Sequence, residues 1–223
     1  MASRLIYIPS VLVVHGNAAA TANNLATHES LFRWGIVAYL VGGTLWLFVP
    51  LALYRLLNEV DHTLAVLMVI LGGLMQVPLY LVNTANDVAA LLFACGADFL
   101  AVFNKPQRDA FAALFLNLHH QVDLAGMMFA GLWLLPFGLL VYKSRFLPRL
   151  LGVWLMLACF PYLALSVSGF LRPGTENKVF TYGQPLMLGE LAIMLWLVIM
   201  GAQERKLAEG AEVDRQRQAA SQK

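Results

Sequence analysis

Residues 34–54 read WGIVAYLVGGTLWLFVPLALY, an apolar stretch without a single charged side chain. A helix needs about 20 apolar residues to cross the hydrocarbon core of a bilayer, and this stretch supplies them. Because lipid offers no partners to unpaired backbone groups, a stretch of this length and composition must be helical. The sequence therefore predicts a membrane-spanning helix over these residues.

Four further stretches repeat this pattern and contain at most one charge each: residues 64–86, 122–142, 150–171 and 179–203. Of the 223 residues, 60% are hydrophobic and 13% are charged, whereas soluble domains are nearer a quarter charged. The period-two alternation of a membrane β-barrel is absent from these stretches. The expected fold is all-α: a polytopic transmembrane helical bundle with about five spanning helices and an N-terminal interfacial segment.

We expect one transmembrane helical domain over residues 1–203, with residues 1–33 outside the spans and 204–223 as a polar tail. The spans are predicted near residues 34–57, 64–94, 119–142, 148–171 and 181–203. Asn104, followed by Pro106, is a helix start signal, so residues 105–142 should form one long helix that begins outside the membrane. Pro136 should kink this helix near its far end.

The amino terminus admits two interpretations. Residues 5–14 are apolar but only half a span long. With Arg4 before them and small residues at 18–20, they could form a secretory signal. A Pro-Ser pair interrupts this apolar core, which favours an interfacial segment. That segment would continue into an Ala-rich helix capped by Asn17 and running to residue 32.

The orientation of the bundle follows from the Lys and Arg residues beside the spans. One side carries Arg55, Lys143, Arg145, Arg149, Arg205, Lys206, Arg215 and Arg217, and the other carries Arg33, Lys105, Arg108, Arg172 and Lys178. The first side is richer, so we expect it and the C-terminus to lie in the cytoplasm. The formal net charge of +2 is too small to indicate a nucleic-acid partner. The expected partner is the lipid bilayer, and the oligomeric state is left open.

Polar and ionisable side chains inside a membrane are costly, so each is a candidate ligand-binding residue. Three groups qualify: Asn83, Asn86 and Asp87 on the second span; His119, His120 and Asp123 at the start of the third; and Glu190 on the last. Within the first two groups, spacings of three and four place side chains on one helix face. All of them lie near the non-cytoplasmic ends of their spans. We therefore expect an outward-facing polar pocket formed by spans two, three and five.

This pocket suits three functions. A His–carboxylate pair can bind a ligand or relay protons, which favours a protein that binds or transports a small molecule or a lipid. The alternatives are a membrane-embedded enzyme using the His/Asp/Glu cluster and a purely structural membrane protein. The paired His-x-x-x-His spacing of many membrane metalloenzymes is absent, so no metal site is assigned, and the cofactor is left unknown.

Four stretches carry a family resemblance: GNAAATANNLATHESLFRWGIVAYL at 16–40, GADFLAVFNKPQRDAFAALFLNLH at 96–119, GLWLLPFGLLVYKSRFLPRLLGVWL at 131–155 and GELAIMLWLVIMG at 189–201. They resemble a bacterial membrane family known as domain of unknown function 4386. The resemblance implies a helical domain of the bacterial inner membrane, usually with six spans and no assigned activity. The family's first span would precede residues 6–14, so the sequence departs from the pattern there, as a shortened start or a five-span version. The resemblance supplies no catalytic or binding residues.

Overall fold

The computed structural model describes residues 12–14 and 16–221 of the chain, with side chains through residue 200, and this part contains no β-strand. Its helices are Ala18–Thr27, Glu29–Trp46, Phe48–Leu57, His62–Val69, Val77–Cys95, Lys105–Leu132, Leu134–Lys143, Arg149–Leu171 and Glu176–Ser221. A π-helical turn at Ile70–Leu74 and a 3-10 turn at Asp98–Leu100 complete the regular structure. The predicted polar tail thus continues the last helix through Ser221.

Five helical stretches in the described part of the chain are long and apolar enough to cross a membrane. Numbered spans 1 to 5, they are Glu29–Leu57, His62–Cys95, Lys105–Lys143, Arg149–Leu171 and Glu176–Met200. The shortest has 23 residues, which exceeds the roughly 20 that a spanning helix needs. The predicted all-α polytopic bundle is confirmed.

The outer surface of the bundle is apolar. Trp34, Leu150 and Val198 are 72%, 75% and 80% exposed, and many other large apolar side chains also point away from the core. A water-soluble monomer rarely exposes so much contiguous apolar surface. An apolar outer surface of this extent is compatible with contact to lipid tails.

The spans pack in a simple order. Span 1 packs on span 2, span 2 on span 3, span 3 on span 4 and span 4 on span 5, while Ala18–Thr27 packs across spans 2 and 3. Span 4 therefore lies between spans 3 and 5. The main core forms around Trp133 and Phe137, whose stacked rings are fully buried.

Span 2 is interrupted where the sequence has adjacent glycines. The π-helical turn Ile70–Leu74 contains Gly72, and a Cβ there would lie 2.7 Å from the Trp133 ring. The Gly72 carbonyl accepts a 2.7 Å hydrogen bond from the Trp46 indole nitrogen. The contact therefore supplies a side-chain donor to a carbonyl in irregular backbone, which lipid cannot do.

Span 3 starts as predicted, and its regular helix is interrupted close to Pro136. Asn104 and Gln107 form a reciprocal capping box at its first turn. The helix breaks at Trp133, three residues before Pro136, and resumes as Leu134–Lys143. Proline lacks a backbone donor, so an interruption just before it removes the need for that hydrogen bond.

The N-terminal region differs in part from expectation. Asn17 does cap a helix, its side chain accepting from the Ala20 amide, but this helix ends at Thr27 instead of residue 32. His28 leaves helical geometry, and span 1 begins at Glu29. Apart from 12–14, the segment over residues 1–14 lies outside the described residues, and so does the choice between signal and interfacial segment.

Asp61 connects spans 2 and 3 at one end of the bundle. We call it the basic end, because Arg55, Lys143, Arg145 and Arg149 lie there. The Asp61 side chain caps span 2 by accepting from the Leu64 amide at 3.1 Å. It also accepts a 2.8 Å hydrogen bond from the Lys143 ammonium at the end of span 3. The hydrogen bond from Lys143, followed by the one from the Leu64 amide, holds the pKa of Asp61 below its usual value.

Spans 3 and 4 approach closely enough for a substitution to test their packing. A Cβ on Gly152 would lie 2.7 Å from both the Gly138 carbonyl oxygen and the Tyr142 amide nitrogen, and backbone atoms cannot swing aside. Gly152→Ala should therefore lower the unfolding temperature in detergent, since overpacking costs about 1–3 kcal/mol. Gly42→Ala is the matched control, because nothing lies within 4 Å of its added Cβ. Equal behaviour of the two variants would contradict this packing.

The Asp61–Lys143 contact makes stability depend on pH. A carboxyl whose pKa is lowered by folding stabilises the protein above its ordinary pKa of about 4 and loses this contribution as pH falls through the folded value. Asp61→Asn should flatten the fall in unfolding temperature between about pH 5 and pH 3. Glu59→Gln, in the same turn, should retain the wild-type slope.

Candidate functional site

Three spans bring polar side chains together inside the bundle. We call this group the polar cluster: Tyr39 of span 1, Asn83 and Asp87 of span 2, and His119 and Asp123 of span 3. The two residues from each of spans 2 and 3 are four apart and share a helix face. Because spans 2 and 3 are packed neighbours, their polar faces meet. The cluster lies in the half of the bundle away from the basic end.

His119 stands between two carboxyl groups. Its Nδ1 and Asp87 Oδ1 are joined by a hydrogen bond of 2.9 Å. Its Nε2 lies 3.5 Å from Asp123 Oδ2. An imidazole held in this way has both ring nitrogens oriented, so this side chain can pass a proton between spans 2 and 3.

Asn83 connects this pair to span 1. Its amide nitrogen donates to Asp123 Oδ1 at 2.8 Å and to the Tyr39 hydroxyl at 3.1 Å. The Tyr39 hydroxyl in turn donates to Asp123 Oδ1 at 3.4 Å. The Asn83 carbonyl oxygen Oδ1 is buried and has no hydrogen-bond partner.

Burial within the cluster is uneven. Asn83 and Asp87 are 0% exposed, whereas the Asp123 side chain is 29% exposed. Aromatic rings flank the carboxyl groups: the Tyr39 ring centroid lies 5.4 Å from that of His119 and 5.0 Å from that of Tyr80. Asp123 is thus the most accessible acid of the cluster, beside an aromatic wall.

Two further predicted site residues, His120 and Asn86, are direct sequence neighbours of cluster residues. His119 contacts both carboxyl groups of the cluster. Asn86 is half-buried and makes none of the hydrogen bonds that join Asn83 and Asp87 to span 3. Consecutive residues are about 100° apart around a helix, so only one residue of each adjacent pair can face the neighbouring span.

Glu190 lies elsewhere in the bundle. Its neighbouring hydrogen-bonding side chain is Tyr162 of span 4, and its Oε1 is buried without a partner. The predicted pocket draws on spans two, three and five, whereas the polar cluster draws on spans 1, 2 and 3. Span 4 separates span 5 from the cluster, and span 1 supplies the third wall.

Tyr39 was not among the predicted site residues, because a search for ionisable and amide groups passes over a phenol in an apolar span. Its hydroxyl group lies in the charge-free stretch 34–54, and a buried tyrosine hydroxyl normally has a hydrogen-bond partner. That hydroxyl was the signal in the sequence that could have indicated Tyr39. Within the described residues, no group of three or more His, Cys, Asp or Glu side chains is arranged to hold a metal ion. The chemistry that the polar cluster offers is hydrogen bonding, charge pairing and proton transfer.

Spanning helices joined by a buried polar cluster define a polytopic helical membrane protein. The chain belongs to the family described as domain of unknown function DUF4386, which matches residues 3–201. The family resemblance is thereby confirmed.

One curated relative carries no functional name. An uncharacterized protein from Archaeoglobus fulgidus is 32% identical to the chain over 111 residues. The match covers 46% of this chain and 64% of that protein, just under two thirds of its length. No solved structure matches the chain.

The Asp87–His119 contact predicts a measurable coupling between spans 2 and 3. Asp87→Asn and His119→Gln should each lower the unfolding temperature, because each leaves a buried polar partner poorly satisfied. The double variant should lose less free energy of unfolding than the two single variants lose together, with a coupling free energy of at least about 1 kcal/mol. Asn86→Ala combined with His119→Gln is the control, and its two effects should be additive. Additivity in both pairs would show that the contact is absent.

Proposed function

We propose that this membrane protein binds a small molecule with an ammonium or other strong donor group at the polar cluster. The observation that carries the proposal is the buried Asn83 Oδ1, an acceptor without a donor. Buried polar groups in folded proteins are nearly always paired, so an exception calls for an explanation. A ligand donor beside Asp123 would supply the missing hydrogen bond.

The charges of the cluster favour a cationic ligand. Two carboxyl groups face one imidazole, so the formal charge is −1 even when His119 carries a proton and both acids are ionised. A buried negative charge inside a membrane is costly unless a cation compensates it. Tyr39 and Tyr80 add aromatic faces beside Asp123, and such faces attract ammonium groups.

The proposed ligand enters from the membrane face opposite the basic end. Spans 1, 2 and 3 contribute the cluster from the half nearer to Glu29, Cys95 and Lys105. We assign the basic end and the C-terminus to the cytoplasm on the positive-inside rule, and the protein to the bacterial inner membrane. The ligand would then approach from the non-cytoplasmic side. Within the part of the chain that the structure describes, the His–carboxylate pair is not joined by a catalytic constellation, which favours binding or transport over turnover.

Thermal-shift measurements on detergent-purified protein test this proposal. A series of primary, secondary and quaternary amines is screened against uncharged hydroxyl analogues of the same size. An amine at 100 times its Kd should stabilise the wild type by about 2.7 kcal/mol, which raises the unfolding temperature by several degrees. Asp123→Asn should abolish the shift, because it removes the charge while keeping the shape of the side chain.

Asp61→Asn is the matched control, since it removes one carboxylate at the basic end and should leave the amine-induced shift intact. An amine that stabilises Asp123→Asn as strongly as wild type would exclude the polar cluster as the site. If amines and hydroxyl analogues stabilise equally, the charge argument fails. If Asp123→Asn only lowers stability and nothing in the series binds, the cluster serves helix packing instead.

A further inference from the structure

A second feature lies at the basic end, away from the polar cluster. A cavity of about 310 Å³ opens there between span 1, span 5 and the turn that joins spans 3 and 4. The residues that line it are apolar and include Ala52, Leu53, Leu56, Phe146, Trp196 and Leu197. We call this cavity the basic-end groove.

The groove follows from the packing order of the spans. Span 1 packs on span 2 and span 5 packs on span 4, so the ends of spans 1 and 5 do not close against each other. An apolar groove at this place suits an acyl chain. Lipid tails are as apolar as the groove, so burial of a tail cannot by itself select one lipid over another. Selectivity has to come from groups that meet the headgroup.

Two arginines near the groove in sequence are candidates for binding a lipid headgroup. Arg55 precedes the lining residue Leu56 on span 1, and Arg145 precedes the lining residue Phe146 in the turn. Both are exposed, and neither forms an ion pair with another described side chain. Lys143, at the same end, is paired with Asp61. Two exposed arginines thus border the groove lining in the sequence, and neither has an ion-pair partner among the described side chains.

The backbone at Arg145 adds an independent observation. Its φ is +61°, and among the described residues it is the one non-glycine residue with positive φ. This left-handed conformation favours glycine and is strained for a residue with a Cβ. A role for the guanidinium accounts for an arginine at a position where glycine would be easier.

We infer that the basic-end groove holds an acyl chain of an anionic phospholipid whose phosphate is bound by Arg55 and Arg145. Guanidinium groups bind phosphate through paired, charge-assisted hydrogen bonds. Basic pockets between spanning helices on the cytoplasmic side are suited to anionic headgroups. The inference does not depend on the function proposed for the polar cluster, and the two sites lie in opposite halves of the bundle.

Trp196 lines the groove and serves as the reporter. The full chain is reconstituted with brominated phosphatidylglycerol or brominated phosphatidylcholine at equal mole fraction, because bromine on an acyl chain quenches a neighbouring indole. The contribution of Trp196 is the difference between wild type and Trp196→Phe. We expect brominated phosphatidylglycerol to quench this contribution more strongly. Arg55→Gln with Arg145→Gln should lower the preference, by about fivefold in relative affinity for each arginine.

The matched control removes two cations from the opposite end, as Arg172→Gln with Lys178→Gln, and should leave the preference unchanged. Arg145→Gly separates binding from folding, because it should raise the unfolding temperature by relieving strain while it weakens the lipid preference. Equal quenching by the two lipids in wild type would overturn the inference. So would a Trp196 contribution that neither lipid quenches, the result expected if a second copy of the chain covers the groove.

Discussion

The bilayer interior offers no hydrogen-bond partners, and the structure depends on this constraint. Every backbone group within the spans has to be satisfied by the chain itself, which makes continuous helices the default. Where the helix of span 2 is irregular, Trp46 donates to the Gly72 carbonyl. At the break in span 3, Pro136 follows closely and removes one donor that would otherwise need a partner. The places where the helices depart from regularity are thus supported locally.

The same constraint explains why the polar cluster joins three spans. A carboxyl group as deeply buried as Asp87 needs a partner on a neighbouring helix, and His119 supplies it. Asn83 extends the bonding to Tyr39 and Asp123, so one amide nitrogen contacts both neighbouring spans. Polar contacts of this kind fix the rotation of helices whose apolar faces are otherwise interchangeable in lipid. The ligand site that we propose would draw on the same side chains as this packing.

The sequence predicted features that depend on local chemistry. The apolar stretches located the five spans and Asn104 located the start of span 3, because each signal acts on residues close to it along the chain. The position of a residue along its span also follows from the sequence, and it predicted that Asp87, His119 and Asp123 lie at a similar depth in the membrane. The sequence does not predict which helices are neighbours, because the charge-free stretches 34–54 of span 1 and 150–171 of span 4 show no preferred face. The grouping of Glu190 with the cluster residues and the omission of Tyr39 have this common cause.

The π-helical turn in span 2 has a consequence for where the site faces. Such a turn takes up one residue more than an α-helical turn, so every residue after it is rotated by about 100° relative to an uninterrupted helix. Asn83 and Asp87 lie beyond Ile70–Leu74 and owe their direction toward span 3 to this offset. In a regular helix the same two side chains would face a different quadrant of the membrane. A single surplus residue, absorbed beside Trp133, therefore sets the direction in which Asn83 and Asp87 point, more than a helical turn away.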